Sequence, residues 1–198
     1  ISIMKHIALL TTLLLSASLQ AVEKPYDYVF FENSLMKGDY FYSQAKYTSP
    51  SWIKNARHHL PVAGSVAFTP GNSLELTYVS APGGDWYSEI QYCPVRGNDF
   101  FREPSTLSMQ VRLRESMNAA ALPNIAIRYA DSTYTQYLNL RNYLKDTRPG
   151  VWHPVSIPLE DFGLNAVNDT NIKKLAAVAL RPGTADGNEY TIYLDDIE

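Results

Sequence analysis

The chain has 198 residues, of which 45% are hydrophobic and 19% charged, and its formal net charge is −3 at pH 7. These values are typical of one globular domain, and the absence of a basic excess argues against a nucleic-acid partner. Because Cys93 is the only cysteine, the chain forms no internal disulfide.

The N-terminus has the pattern of a secretory signal peptide. Lys5 is followed by the apolar run 7–15 and then by small and polar residues up to Ala21. The apolar run is much shorter than the roughly 20 residues that a membrane-spanning helix needs. We therefore predict that 1–21 are upstream residues plus a signal peptide and that 22–198 form one domain. The protein is then expected to be secreted or periplasmic, with no membrane partner.

Short β-rich runs separated by turn-forming residues follow along the rest of the chain. Strands are predicted at 28–32, 40–47, 65–69, 73–80, 85–93, 106–114, 124–131, 133–140, 152–159, 174–182 and 190–197. Apolar residues at alternate positions, such as Leu74, Leu76 and Tyr78, indicate strands with one buried and one exposed face. The sequence therefore predicts an all-β fold, an antiparallel β-sandwich or jelly roll.

Motifs of common enzyme classes are absent from the sequence. There is no Gly-x-Ser-x-Gly elbow, phosphate-binding loop or His-Glu-x-x-His. Glu75 and Glu89 stand singly, whereas sandwich-fold glycosidases place a pair of acids toward a cleft. The sequence favours a protein that is not an enzyme, with a jelly-roll polysaccharide lyase or hydrolase as the alternative.

Acidic residues lie beside apolar strands at both ends of the predicted domain. Glu32 and Asp39 come at and after the first strand, and Asp195 and Asp196 close the last one. First and last strands of a sandwich commonly pair, so these oxygens are expected to meet, and calcium is the cation that such ligands favour. The alternative is that one acid is solvated while the other accepts hydrogen bonds from backbone amides.

The second half of the chain carries a family resemblance. "VWHPVSIPLEDFG" (151–163), "IKKLAAVALRPG" (172–183) and "YTIYLDDIE" (190–198) resemble the closing strands of galactose-binding-like carbohydrate-binding modules. "FFENS" (30–34) resembles the acidic end of their first strand. These β-jelly-roll modules are attached to polysaccharide-degrading enzymes of bacteria, and other segments are similar to secreted Bacteroidetes-type proteins of this kind.

The resemblance implies ligands and partners. A structural calcium would join Glu32 to Asp195, with Asp39 and Asp196 as further candidate ligands. A polysaccharide or oligosaccharide would bind to the module, and a C-terminal catalytic domain would be its partner within the chain.

A sugar site needs aromatic rings for the apolar faces of the sugar and planar polar groups for its hydroxyls. The polar faces of the predicted central strands offer such a set: Tyr87, Glu89, Gln91, Arg128, Tyr137 and Asn139. Two further candidates are Trp52, in a loop, and Trp86, which is placed either to stack on a sugar or to pack inward at the start of its strand. The alternative for the sheet face is an ordinary solvated surface with cross-strand pairs.

These observations predict a non-catalytic carbohydrate-binding module that acts as the accessory domain of a glycoside hydrolase. Besides the enzyme, the remaining alternative is a structural spacer that packs on a catalytic domain without binding sugar. The spacer requires a large exposed apolar face.

Overall fold

The computed structural model describes residues 29–92, 105–164 and 175–198. The predicted signal peptide at 1–21 lies outside these residues. Within the described part of the chain, no helix is long and apolar enough to cross a membrane.

The described residues form eleven β-strands and three short 3-10 helices. The strands are β1 (Ser43–Thr48), β2 (Trp52–Ile53), β3 (Val62–Ala63), β4 (Ser73–Val79), β5 (Asp85–Gln91), β6 (Thr106–Leu113), β7 (Asn124–Tyr129), β8 (Leu138–Asn139), β9 (Trp152–Pro158), β10 (Leu175–Arg181) and β11 (Glu189–Asp195). The helices are Ala119–Ala121, Leu140–Asn142 and Leu159–Phe162.

The strands form two sheets with antiparallel pairing throughout. The five-stranded sheet has the order β1-β5-β10-β7-β8, and the six-stranded sheet has the order β2-β4-β11-β6-β9, with β3 also pairing with β4. Neighbours in each sheet are mostly distant in sequence, which is typical of sandwiches closed by long crossovers. The predicted all-β antiparallel sandwich is therefore confirmed.

The core lies between the two sheets and is built from the alternating apolar positions. Leu74, Leu76 and Tyr78 of β4 are fully buried, and on the opposite sheet Ile125 and Leu180 are equally enclosed. Burying such side chains contributes roughly 1.5–3 kcal/mol each. The alternation read from the sequence therefore corresponds to the inner faces of the sheets.

Three predicted strands differ from the structure. In the described part of the first predicted strand, 29–32, only an isolated bridge forms, between Phe31 and Ile197. The segment 65–69 is a loop, because the amides of Phe68 and Thr69 donate to a carboxylate instead of a neighbouring strand. In 133–140 only the two residues of β8 are a strand.

The start of the described chain is tied to its end. The amides of Phe30 and Phe31 donate to the carbonyl of Ile197 at 2.8 and 3.1 Å, and the Ile197 amide donates back to Phe31 at 2.7 Å. The predicted meeting of the two ends of the domain is therefore confirmed for the backbone.

Candidate functional site

The outer face of the five-stranded sheet has a floor of small residues at its centre. Ala177 and Ala179 of β10 point outward, and Ala179 lies between Glu89 of β5 and Ala126 of β7. These alanines are fully buried, because longer side chains from both neighbouring strands close over them. The small floor allows groups on β5 and β7 to meet across β10.

The groups that meet are Glu89 and Arg128, which form a bidentate ion pair. Nε of Arg128 donates to Oε2 of Glu89 at 2.9 Å, and Nη2 donates to Oε1 at 2.8 Å. The Glu89 carboxylate also accepts hydrogen bonds from the Tyr87 hydroxyl and from Nε2 of Gln91, the latter at 3.1 Å. Glu89 is only 1% exposed, so the pair is largely withdrawn from water.

The hydrogen bonds keep this pair charged. Burial disfavours the Glu89 carboxylate, but the bonds from Arg128 and Tyr87 outweigh it and lower the pKa of Glu89. The bond to Glu89 in turn raises the pKa of Arg128. Glu89 is therefore held as a carboxylate that orients its neighbours, and it is not suited to donate a proton in catalysis.

Three tyrosines form a cluster beside the Glu89–Arg128 pair: Tyr87, Tyr134 and Tyr137. The hydroxyls of Tyr87 and Tyr134 lie 3.1 Å apart, and the rings of Tyr134 and Tyr137 stack with centroids 6.1 Å apart. Burial, followed by the hydrogen bond to Glu89, strongly raises the pKa of Tyr87. Tyr134 is 39% exposed and presents its ring to solvent.

The loop that carries Tyr134 and Tyr137 is held at several points. The amide of Thr135 donates to the Ile127 carbonyl, and its hydroxyl accepts from the Ile127 amide, both at 2.9 Å. The side-chain amide of Gln136 donates to the carbonyl of Asp161. These bonds fix the two tyrosines against β7 without a regular strand.

At the other side of the face, a shallow pocket of ≈ 140 Å³ opens between the ends of β1, β5 and β10. The residues that line it are Lys46, Tyr47, Thr48, Asp85, Trp86, Tyr87 and Arg181. Tyr47 is 52% exposed, but it pairs with the inward-facing Trp86, so its side chain leaves β1 on the opposite side from that of Lys46.

The structure brings together five of the predicted sugar-binding residues: Tyr87, Glu89, Gln91, Arg128 and Tyr137. Asn139 lies on the neighbouring edge strand, where its side chain is engaged with Leu122, Asn124 and the amide of Arg141. Trp52 lies in β2 of the other sheet, away from this face.

The prediction that Trp86 contacts sugar is contradicted. Trp86 is 1% exposed, its Nε1 donates to the Ser80 hydroxyl at 2.9 Å, and its ring packs on Tyr78 with centroids 4.8 Å apart. Trp86 is the second residue of β5 and its side chain faces inward, so its large apolar ring fills the core between the sheets.

We expect Trp86→Phe to destabilise the protein by about 1–3 kcal/mol, because the smaller ring leaves a void and an unpaired Ser80 hydroxyl. Glycan affinity, measured on the folded variant, should be unchanged. Chemical denaturation and a binding titration check the two parts, and a selective loss of affinity would contradict the core assignment.

Sequence reasoning missed Lys46, Tyr134 and Arg181 as members of this face. Arg181 was detectable, since Ala177, Ala179 and Arg181 alternate on β10. Lys46 is detectable only once the register places it opposite Tyr87. Tyr134 has no strand periodicity because it lies in a loop.

The predicted calcium ligands do not converge. Among the described residues, no three Asp, Glu, His or Cys side chains form a group that could hold a metal ion. Asp195 is fully buried and its carboxylate accepts from the amides of Phe68, Thr69 and Asp196 at 2.7, 3.2 and 2.9 Å. Asp196 accepts from the Thr69 hydroxyl at 2.7 Å.

The N-terminal acids are arranged differently. Glu32 follows Phe31, which pairs with Ile197. Asp39 is 1% exposed, and its Oδ2 accepts from Nε and Nη2 of Arg57 at 2.9 and 2.7 Å. The four acids therefore do not form the single cage predicted from the sequence.

Four buried oxygens of the described residues remain without a hydrogen-bond partner, and two of them belong to the N-terminal segment: Oδ1 of Asp39 and Oδ1 of Asn33. An ordered water or a cation would satisfy such acceptors. Calcium binding by this protein stays a prediction.

Comparisons with known proteins agree with this fold. A family model described as carbohydrate binding domain 30 matches residues 27–198. The family 30 carbohydrate-binding module of the cellulosomal cellulase Cel9D-Cel44B of Clostridium thermocellum is similar in fold, with a TM-score of 0.61 and 17% identity over 85% of this chain and 94% of that chain.

Two further solved structures share the fold. Another family 30 module has a TM-score of 0.57 and 19% identity over 85% of this chain and 95% of that chain. A family 11 module from Clostridium thermocellum, solved with a β-1,3-1,4-mixed-linked tetrasaccharide, has a TM-score of 0.53 and 12% identity over 79% of this chain and 87% of that chain. Since the family model covers nearly all of the chain, this protein belongs to the carbohydrate binding domain 30 family and is a carbohydrate-binding module.

Proposed function

We propose that the outer face of the five-stranded sheet binds a polysaccharide chain and thereby holds a glycoside hydrolase near its substrate. The observation that carries this proposal is the combination of the stacked, partly exposed rings of Tyr134 and Tyr137 with a fixed set of polar groups on one face. Sugars present apolar C–H faces to such rings and hydroxyls to such polar groups.

The buried Glu89–Arg128 pair gives this face a rigid base. It fixes Tyr87 through a hydrogen bond, and Tyr87 in turn contacts Tyr134. A ligand that binds to side chains already held in place loses less conformational entropy on binding. The network therefore supports recognition more than chemistry, in agreement with a module that is not catalytic.

The accessory role is supported by the family. The similar module of Cel9D-Cel44B belongs to a cellulosomal cellulase, and the similar family 11 module was solved with a mixed-linked β-glucan fragment. We propose a catalytic partner domain that degrades polysaccharide and, from the signal-peptide pattern, a secreted or periplasmic location. Mixed-linked β-glucan is the first polymer to test.

We expect Tyr134→Ala and Tyr137→Ala each to weaken binding of a recognised polysaccharide about tenfold, equivalent to ~1.4 kcal/mol, because each removes a stacking surface. Affinity electrophoresis across a polysaccharide panel, followed by calorimetry with the best ligand, measures this effect.

Phe68→Ala is the matched control. Phe68 is 49% exposed but lies beside Trp152 of the six-stranded sheet. An equal loss of affinity in all three variants would show that the ligand binds elsewhere. Absence of binding across the panel would favour the structural spacer, and turnover of any polymer would favour an enzyme.

A further inference from the structure

Two cationic side chains flank the ring of Tyr87. Nζ of Lys46 lies 5.0 Å from the ring centroid, and Cζ of Arg181 lies 5.7 Å from it. Lys46 is the cross-strand partner of Tyr87 on β1, whereas Arg181 comes from β10 on the other side of β5. Arg181 also lies 5.6 Å from the ring centroid of Tyr137.

The charges of Lys46 and Arg181 are much less neutralised than the charge of Arg128, which forms an ion pair with Glu89. Among the described residues Arg181 has one acidic contact, to Asp85 at 3.9 Å, and the Arg181 side chain is 47% exposed. Within the described part of the chain, Lys46 forms no ion pair. Two cations therefore face one carboxylate at this pocket, in a chain whose net charge is −3.

The position of Arg181 suits it for recognition. A guanidinium held between aromatic rings keeps its planar set of donors, which matches the two oxygens of a carboxylate or sulfate. Lys46 adds a flexible point charge on the other side of Tyr87. The pocket of ≈ 140 Å³ between them holds the volume of several water molecules of about 30 Å³ each, enough for an anionic group and part of its ring.

We infer that the Lys46–Arg181 pocket binds the anionic group of an acidic sugar residue, a uronate carboxylate or a sulfate ester, within the polysaccharide that the sheet face recognises. This inference rests on the proposed function of that face. If the two cations only supported the tyrosine rings, neutralising them would change the binding of neutral and acidic glycans equally.

The test compares one polymer in two chemical forms. The purified protein is titrated with uronate-containing oligosaccharides and with the same oligosaccharides after reduction of their carboxyl groups to alcohols. A sulfated polysaccharide and its desulfated form make the second pair. We expect the anionic form of one pair to bind roughly three- to tenfold more tightly at low salt, with the preference falling as salt screens the charges.

Lys46→Gln and Arg181→Gln should each bring the ratio of the affinity for the anionic form to the affinity for the neutral form close to one, whatever their effect on the neutral form itself. Lys54→Gln is the matched control, since Lys54, like Arg181, is about half exposed but pairs with Glu75 on the six-stranded sheet. It should leave the preference unchanged.

The outcomes separate this inference from the proposed function. Binding of neutral polymers with no gain from the anionic group would overturn the inference and leave the glycan-binding face in place. A preference that survives both glutamine variants would also overturn it. No binding of any polymer, charged or neutral, would remove both.

Discussion

Replacing Arg128 by methionine should lower the free energy of unfolding by about 3 kcal/mol, because it leaves the buried Glu89 carboxylate without its cation. Methionine preserves much of the apolar volume of the arginine stem, so the loss reports the charge rather than a cavity. The measurement is chemical denaturation at neutral pH. Glycan affinity should fall as well, since Glu89 orients Tyr87 and Gln91.

The double variant Glu89→Gln/Arg128→Met tests the cause. It removes both charges, so most of the lost stability should return. Arg148→Met serves as the control for loss of an arginine, because Arg148 is 74% exposed and pairs only locally with Asp146. A double variant as unstable as the single one would show that packing, not charge, makes this site costly to alter.

Asp195→Ala should also lower the free energy of unfolding by about 3 kcal/mol. The change leaves three backbone amides, those of Phe68, Thr69 and Asp196, without their acceptor, and each buried unsatisfied group costs roughly 1–3 kcal/mol. The loop 64–69 should also loosen, which hydrogen exchange at Phe68 and Thr69 would detect. Unchanged protection there would contradict this account of the loop.

The same carboxylate predicts a pH dependence. Burial raises the pKa of Asp195 to about 6, against the amide hydrogen bonds from Phe68 and Asp196 that lower it. In the unfolded chain an aspartate titrates near ~3.9, so between these values the folded state binds the extra proton. Stability should therefore fall as pH rises from about 4 to 6, and Asp195→Asn should abolish this slope. Equal slopes in the wild type and in Asp195→Asn would contradict it.

Calcium would reverse this behaviour if Asp195 were one of its ligands. A bound cation stabilises the ionised carboxylate, so it would lower the pKa of Asp195 and raise the melting temperature. Melting with calcium and with chelator, in wild type and in Asp195→Ala and Glu32→Ala, tests the predicted site. A calcium effect that survives both variants but is lost in Asp39→Asn would place the ion at the unpaired oxygens of the N-terminal segment.

The sequence by itself determined the sandwich and much of its polar face. Alternation has a period of two, so it gives the side of a strand on which each residue lies. That was enough to place Tyr87, Glu89 and Gln91 together on β5 and to assign Leu74, Leu76 and Tyr78 to the core. This alternation depends only on the local covalent geometry of the strand.

The tertiary structure decided which loops and side chains cover each face of a strand. Asp195 lies on the outer face of β11, as its parity indicates, yet the loop 64–69 folds over it and buries it completely. Glu89 points outward but is enclosed because β10 carries alanines that let Arg128 reach it. Arg181 and Lys46 flank Tyr87 only through the order β1-β5-β10. Sheet order and loop placement bring together residues far apart in sequence, and periodicity carries no information about them.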